Sequence, residues 1–190
     1  MLAAESHHHE RHMLNKKRVL VLPVAFVIIA CAVAYKLTRE YPAPDFDDAV
    51  SRQPVPLFEA LDHENRIVKF ERYVGRHQVL LTFFDGKLGV DKDPLMLKLR
   101  SAYEFLQQKD IVVVGVSTAI PQQNRQAFES SGEFPFPILS DPGKKVYQAW
   151  GLDGTPKTAF WIDRGGQVQF DQRPIAVEDP MDFVDRLVSK

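Results

Sequence analysis

Residues 79–103 read VLLTFFDGKLGVDKDPLMLKLRSAY, and this succession of strand, loop and helix organises the rest of the chain. Val79 to Phe84 is a short apolar run of β-branched and aromatic residues, suited to a buried central strand. Pro94 fits the first turn of a helix, where its missing N–H is no loss, and Leu95, Leu99, Ala102 and Leu106 then recur at helical spacing. Between the two, Asp85 to Asp93 forms a polar loop containing Gly86 and Gly89. In a parallel sheet this is where the ligand crevice opens.

Downstream, Ile111 to Ser117 (IVVVGVS) is a second near-continuous apolar strand, so strand, helix and strand form a crossover unit. A helix over Gln122 to Ser130 follows, and then FPFPILSDP from Phe134 to Pro142, where Pro135 and Pro137 predict an extended edge. Lys144 to Trp150 makes a short helix and Thr158 to Asp163 a strand. Gly165-Gly166 supplies a tight turn from which Gln167 to Phe170 returns antiparallel. Met181 to Val188 closes the chain as a helix whose Phe183, Leu187 and Val188 cover a sheet face. Before the central strand, Phe58 to Leu61 and Ile67 to Phe70 read as a hairpin turned at His63-Glu64-Asn65, with His63 a turn residue rather than a ligand. The order β-β-β-α-β-α-α-β-β-α implies an α/β domain, a mixed central sheet layered with helices.

The N-terminal part has a different character. Residues 1–18 are a disordered, histidine-rich and basic start, in which Met13 opens MLNKKR directly before an apolar run. Val19 to Tyr35 carries no charge over 17 residues, long enough as a helix to just cross a bilayer, and residues 19–37 read as a transmembrane or signal segment. Lys16, Lys17 and Arg18 precede it, whereas the far side mixes Lys36 and Arg39 with Glu40, Asp45, Asp47 and Asp48, so the positive side is N-terminal and the domain is expected on the extracytoplasmic side. Residues 38–55 form a proline-rich linker, and the globular domain is expected over 56–190.

Cys31, the single cysteine, lies inside the apolar segment. Ile28-Ile29-Ala30-Cys31 resembles the lipobox of bacterial lipoproteins, which makes Cys31 a lipidation candidate. The apolar residues Ala32 to Tyr35 continue past that cut, as an uncleaved anchor requires, and the anchor is preferred. A net charge of −1 from 24 basic and 25 acidic residues gives no electrostatic case for nucleic acid. The expected partners are the membrane and a protein. No cofactor and no metal is expected.

The blocks VLLTFF, LKLRSAYEFLQQKDIVVVGVST, FPFPILSDPGKKVYQAWGL and TPKTAFWIDRGGQVQF, taken in order, resemble the thioredoxin-like superfamily and within it the peroxiredoxins of the alkyl hydroperoxide reductase and thiol-specific antioxidant type. The resemblance implies a thioredoxin-like fold and a thiol peroxidase activity. In that family the loop after this strand carries a proline, a hydroxyl residue and the peroxidatic cysteine at the helix start, where the helix N-terminus and an arginine lower the thiol pKa. The resemblance places that cysteine near Lys92, and Gly89, Val90, Asp91 and Asp93 offer no thiol or hydroxyl in its stead. The family arginine falls on Lys157, which lacks a planar two-point donor. Thr155-Pro156 resembles the cis-proline turn of the superfamily, and an ordinary trans loop proline is an equal reading of the residues.

Asp85, Lys87, Asp91, Lys92, Thr155, Pro156 and Lys157 are therefore binding candidates, and no catalytic residue is assigned. The mixed-sign cluster at Asp85, Lys87, Asp91, Lys92 and Asp93 reads as a solvated loop in preference to a cation site or an acid-base pair. Two function classes follow. One is a noncatalytic binding or assembly module held at the membrane; the other is a thiol-dependent antioxidant oxidoreductase that uses Cys31 or a partner's thiol. The first is preferred, because the linker separates Cys31 from the crevice.

Overall fold

The computed structural model describes residues 51–152 and 157–189. The segment at 19–37, Cys31, most of the linker and the Thr155-Pro156 turn lie outside the described residues. Among those described, no helix is long and apolar enough to cross a membrane.

Strand β4 (Gln78–Phe84) is buried at every position. It pairs in parallel with β5 (Ile111–Ser117) and antiparallel with β7 (Lys157–Ile162). Its side chains alternate between two cores, Leu80 and Phe84 entering one while Val79, Leu81 and Phe83 enter the other. That double burial is why the strand shows no polar alternation. Each of these large side chains contributes roughly 1.5–3 kcal/mol by leaving water, so the strand anchors both layers.

The first core is covered by helices. α1 (Pro94–Gln108) buries Leu95, Met96, Leu99 and Leu106, with Ala102 packed partly buried beside them. α2 (Pro121–Ser131) adds Phe128, and α4 (Pro180–Val188) adds Phe183 and Val184. The second core takes α3 (Lys145–Ala149) through Val146 and Tyr147. Around Phe83 it is strongly aromatic, with Tyr147, Trp150 and Phe160 rings 4.9, 6.1 and 5.7 Å from it.

With β2 (Glu59–Asp62), β3 (Ile67–Lys69) and β6 (Ile138–Ser140), the main sheet has the order β3-β2-β6-β5-β4-β7. From β4 the chain steps to β5 and β6 on one side, then crosses to β7 on the other. The reversal leaves a topological switch point between β4 and β7, at the carboxyl end of β4.

Four expectations are corrected. Ser51–Pro54, inside the stretch read as linker, is strand β1, and it pairs with β8 (Gln167–Asp171). β8 also pairs with β9 (Arg173–Pro174), forming a separate three-stranded sheet instead of continuing a ladder along β7. The tight turn itself forms, with the Asp163 N–H donating to the Gln167 carbonyl at 3.0 Å. β6 is interior and not an edge: Pro135 and Pro137 precede it, so its own residues keep their N–H donors for the ladders on both sides. Val188 is 38% exposed, and the inward position on α4 belongs to Val184.

Candidate functional site

Gly86 brings the loop against the start of the next crossover. A Cβ there would overlap the Ala119 backbone nitrogen and side chain, so only glycine allows the approach. The contact is tied by hydrogen bonds. The Gly86 N–H donates to Thr118 Oγ1 at 2.9 Å, and that hydroxyl donates to Asp85 Oδ1 at 3.3 Å. Asp85 Oδ1 also accepts the Lys87 N–H at 3.0 Å. Gly89 then turns the chain with φ +86, and its carbonyl accepts the N–H groups of Lys92 and Asp93 at 3.2 and 3.1 Å.

Asp93 is the decisive residue. It is 1% exposed and caps α1, its Oδ1 accepting the N–H groups of Leu95 at 2.9 Å and Met96 at 3.2 Å. These are the donors and the positive dipole end that an anion or thiolate at this helix start would use. The protein's own carboxylate fills that position. Lys92, immediately before the cap, is exposed.

Lys157 opens β7 directly opposite Phe84, so it reaches the same end of the sheet as Asp85, Lys87, Asp91 and Lys92. Four of these candidates share the loop that follows β4, and Lys157 pairs with that strand's last residue. Thr155 and Pro156, the other two, lie outside the described residues, as does Cys31. Of the carboxylates that suggested a cation, Asp85 and Asp93 accept local amides, and among the described residues no three His, Cys, Asp or Glu converge on a metal position. A cavity of about 490 Å³ lies elsewhere, at the β2–β3 turn and α2, lined by His63, Glu64, Arg125, Phe128, Glu129 and Glu133.

Two site residues escaped sequence reasoning. Tyr147 on α3 donates its hydroxyl to the Phe84 carbonyl at 2.6 Å and contacts that of Val116 at 3.3 Å, tying the ends of β4 and β5 together. Burial pushes the phenol well above its ordinary pKa, and the carboxylates of Asp141, Asp85 and Asp93 push it the same way. Its hydroxyl is thus held neutral as a structural donor. Thr118 is the other. Neither has a local signal, because each acts on a residue more than thirty positions away. Asp93 did have one: an aspartate directly before a helix-opening proline is a capping pattern.

The AhpC/TSA family profile matches residues 51–171. A chloroplastic peroxiredoxin Q from Sedum lineare is 31% identical over 124 residues, covering 60% of this chain and 63% of the relative. The chain therefore spans somewhat under two thirds of that protein. The thiol-disulfide oxidoreductase ResA of Geobacillus thermodenitrificans is 25% identical over 157 residues, covering 83% of this chain and 88% of its own. Among solved structures, peroxidoxin BcpB of Mycobacterium tuberculosis superposes with a TM-score of 0.56 at 22% identity, over 74% of this chain and 94% of its own. A cysteine-to-serine mutant of Xanthomonas campestris peroxiredoxin Q gives 0.53 at 15%, over 71% and 94%. These structures share this chain's thioredoxin-like fold. With the family pattern running from β1 through β8, the chain belongs to the AhpC/TSA family.

Proposed function

We propose that this protein is a membrane-anchored, noncatalytic peroxiredoxin-fold module that binds a protein partner at the carboxyl end of β4. The observation that carries the reading is the cap: the helix terminus that would stabilise a thiolate is filled by the Asp93 carboxylate, and Lys92 stands beside it. No residue after Cys31 is a cysteine, so the domain holds no thiol to oxidise. Peroxide reduction by thiol chemistry needs a thiolate to attack the O–O bond and become a sulfenic acid. Supporting the anchor is the uncharged run at 19–35, preceded by three basic residues. The family's preserved fold with an altered loop fits a site retained for recognition.

The second reading is thiol exchange, favoured by the extent of the similarity to ResA. It requires Cys31 or a thiol from a partner. Hydroperoxide consumption with a dithiol reductant, comparing the full chain in lipid nanodiscs with its Cys31→Ser variant, separates the two. The binding reading expects no turnover above protein-free discs from either. Turnover lost in the variant would assign the chemistry to Cys31, and turnover in both would overturn the noncatalytic reading outright.

A further inference from the structure

The proposed module has a surface with a definite chemistry. β4, β5 and β6 are mutually parallel, so the connections that follow them emerge at one end of the sheet. Lys157, at the start of antiparallel β7, joins that end. Among the described residues five exposed lysines stand there: Lys87 and Lys92 on the first connection, Lys144 and Lys145 on the third, and Lys157. Among the described residues, most carboxylates at the same end are engaged locally. Asp93 caps α1, Asp141 accepts the N–H groups of Lys145, Val146 and Tyr147, and Asp85 is held by Lys87 N–H and Thr118. Asp91 is half-buried. Among the described residues the solvent-facing layer is thus cationic, although the chain as a whole carries −1.

Within this layer large apolar side chains are also exposed. Leu88 in the loop is 45% exposed, Leu97 in the first turn of α1 40%, and Ile120 at the start of α2 44%. Gly86 and Ala119 pack against each other, which holds the Leu88 and Ile120 segments side by side. Exposed leucine and isoleucine beside lysines mark an interaction surface better than a solvated loop, which needs no apolar residues.

Resting on the binding reading above, we infer that this end docks a protein segment with apolar anchors flanked by aspartate or glutamate. Leu88, Leu97 and Ile120 receive the anchors; the lysine ammoniums face the carboxylates. Charge complementarity sets the sign, since a basic segment would meet five ammoniums with its own. A protein segment is favoured over a bilayer because ligands of α/β sheets bind beside the carboxyl ends of the strands at a switch point, which is the end where these side chains stand. Neither the low net charge nor aliphatic rather than aromatic exposure suits nucleic acid.

The test is selection of random twelve-residue peptides from a phage library on the full chain in neutral-lipid nanodiscs. The winners are then synthesised and titrated by fluorescence anisotropy. Enriched peptides are expected to pair leucine, isoleucine or aromatic residues with aspartate or glutamate, and their affinity should fall with added salt. The pair Lys87→Glu with Lys92→Glu, and separately Leu88→Ser with Ile120→Ser, should each weaken binding about tenfold or more. Arg76→Glu, before the opposite end of β4, should leave binding unchanged. Selection of basic peptides, no enrichment over empty discs, or binding indifferent to both pairs of substitutions would overturn the inference. So would tight docking of this end to anionic discs that the peptides fail to compete away. Such a failure with hydroperoxide turnover still absent removes the partner class alone, whereas turnover removes the noncatalytic reading.

Discussion

Placing a thiol where the family keeps one tests whether this helix start can still activate it. In a Cys31→Ser background, Lys92→Cys puts the sulfur next to Asp91 and Asp93 and beside amides already engaged by the Asp93 carboxylate. An ordinary cysteine, with a pKa near 8.5, is about 3% thiolate at pH 7. Two carboxylates at roughly 6 Å in a water-like dielectric each add about 0.7 kcal/mol against the anion, or about half a pKa unit. The introduced thiol should therefore titrate near or above about 9, and hydroperoxide should not be consumed. Adding Asp93→Ala removes one of those charges and frees the Leu95 and Met96 N–H groups. A helix terminus contributes roughly 0.3–1 kcal/mol to an adjacent anion. The two effects together lower the pKa by about one unit, and alkylation at pH 7 should accelerate about tenfold. Iodoacetamide rates across pH, followed by intact mass, give both values, with Asp93→Asn as the control that keeps a cap but loses the charge. A Lys92→Cys thiol titrating below about 7.5, or one indifferent to Asp93→Ala, would refute the idea that Asp93 blocks this terminus.

The same geometry makes stability predictions. Asp93→Ala should cost about 1–2 kcal/mol in urea unfolding monitored by tryptophan fluorescence, while Asp93→Asn, which also caps well, should be nearly neutral. Tyr147→Phe leaves the Phe84 carbonyl without its 2.6 Å donor and should cost about 1–3 kcal/mol. Because burial raises the folded phenol's pKa, its contribution is fully present below about pH 10 and lost as pH rises beyond; the variant should lose that alkaline decline in thermal midpoint. Asp62 behaves in the opposite sense. Burial pushes its carboxyl up, but hydrogen bonds from the Arg66 N–H and side chain and from the Glu64 N–H prevail and hold it below its ordinary value. Its contribution is present above about pH 4 and lost as pH falls, so Asp62→Asn should flatten the acid limb of the stability profile.

The legible parts of the chain were those whose burial is local. β4 and β5 are continuous apolar runs because both faces are covered, and α1 shows its stripe because one face is. β1 was illegible for the converse reason: Ser51–Pro54 is exposed throughout, and its partner Phe170 lies 119 residues away. The prolines before β6 were visible, but that the strand starts only after Pro137, which lets it sit inside the sheet, was not. At the site, the loop and its departure from the family could be read from residue types alone. The commitment of Asp85 to Thr118 and of Phe84 to Tyr147 depends on the crossover bringing distant segments together.

The measurement that bears most directly on the proposed noncatalytic reading is a single-turnover one. The full chain in nanodiscs, reduced and freed of reductant, is mixed in a stopped-flow instrument with one equivalent of an organic hydroperoxide. With Asp93 filling the helix terminus and no thiol after Cys31, the peroxide should decay at the rate seen with empty discs. A burst consuming close to one equivalent per chain would contradict the account, and its survival in Cys31→Ser would place the reaction within the domain itself.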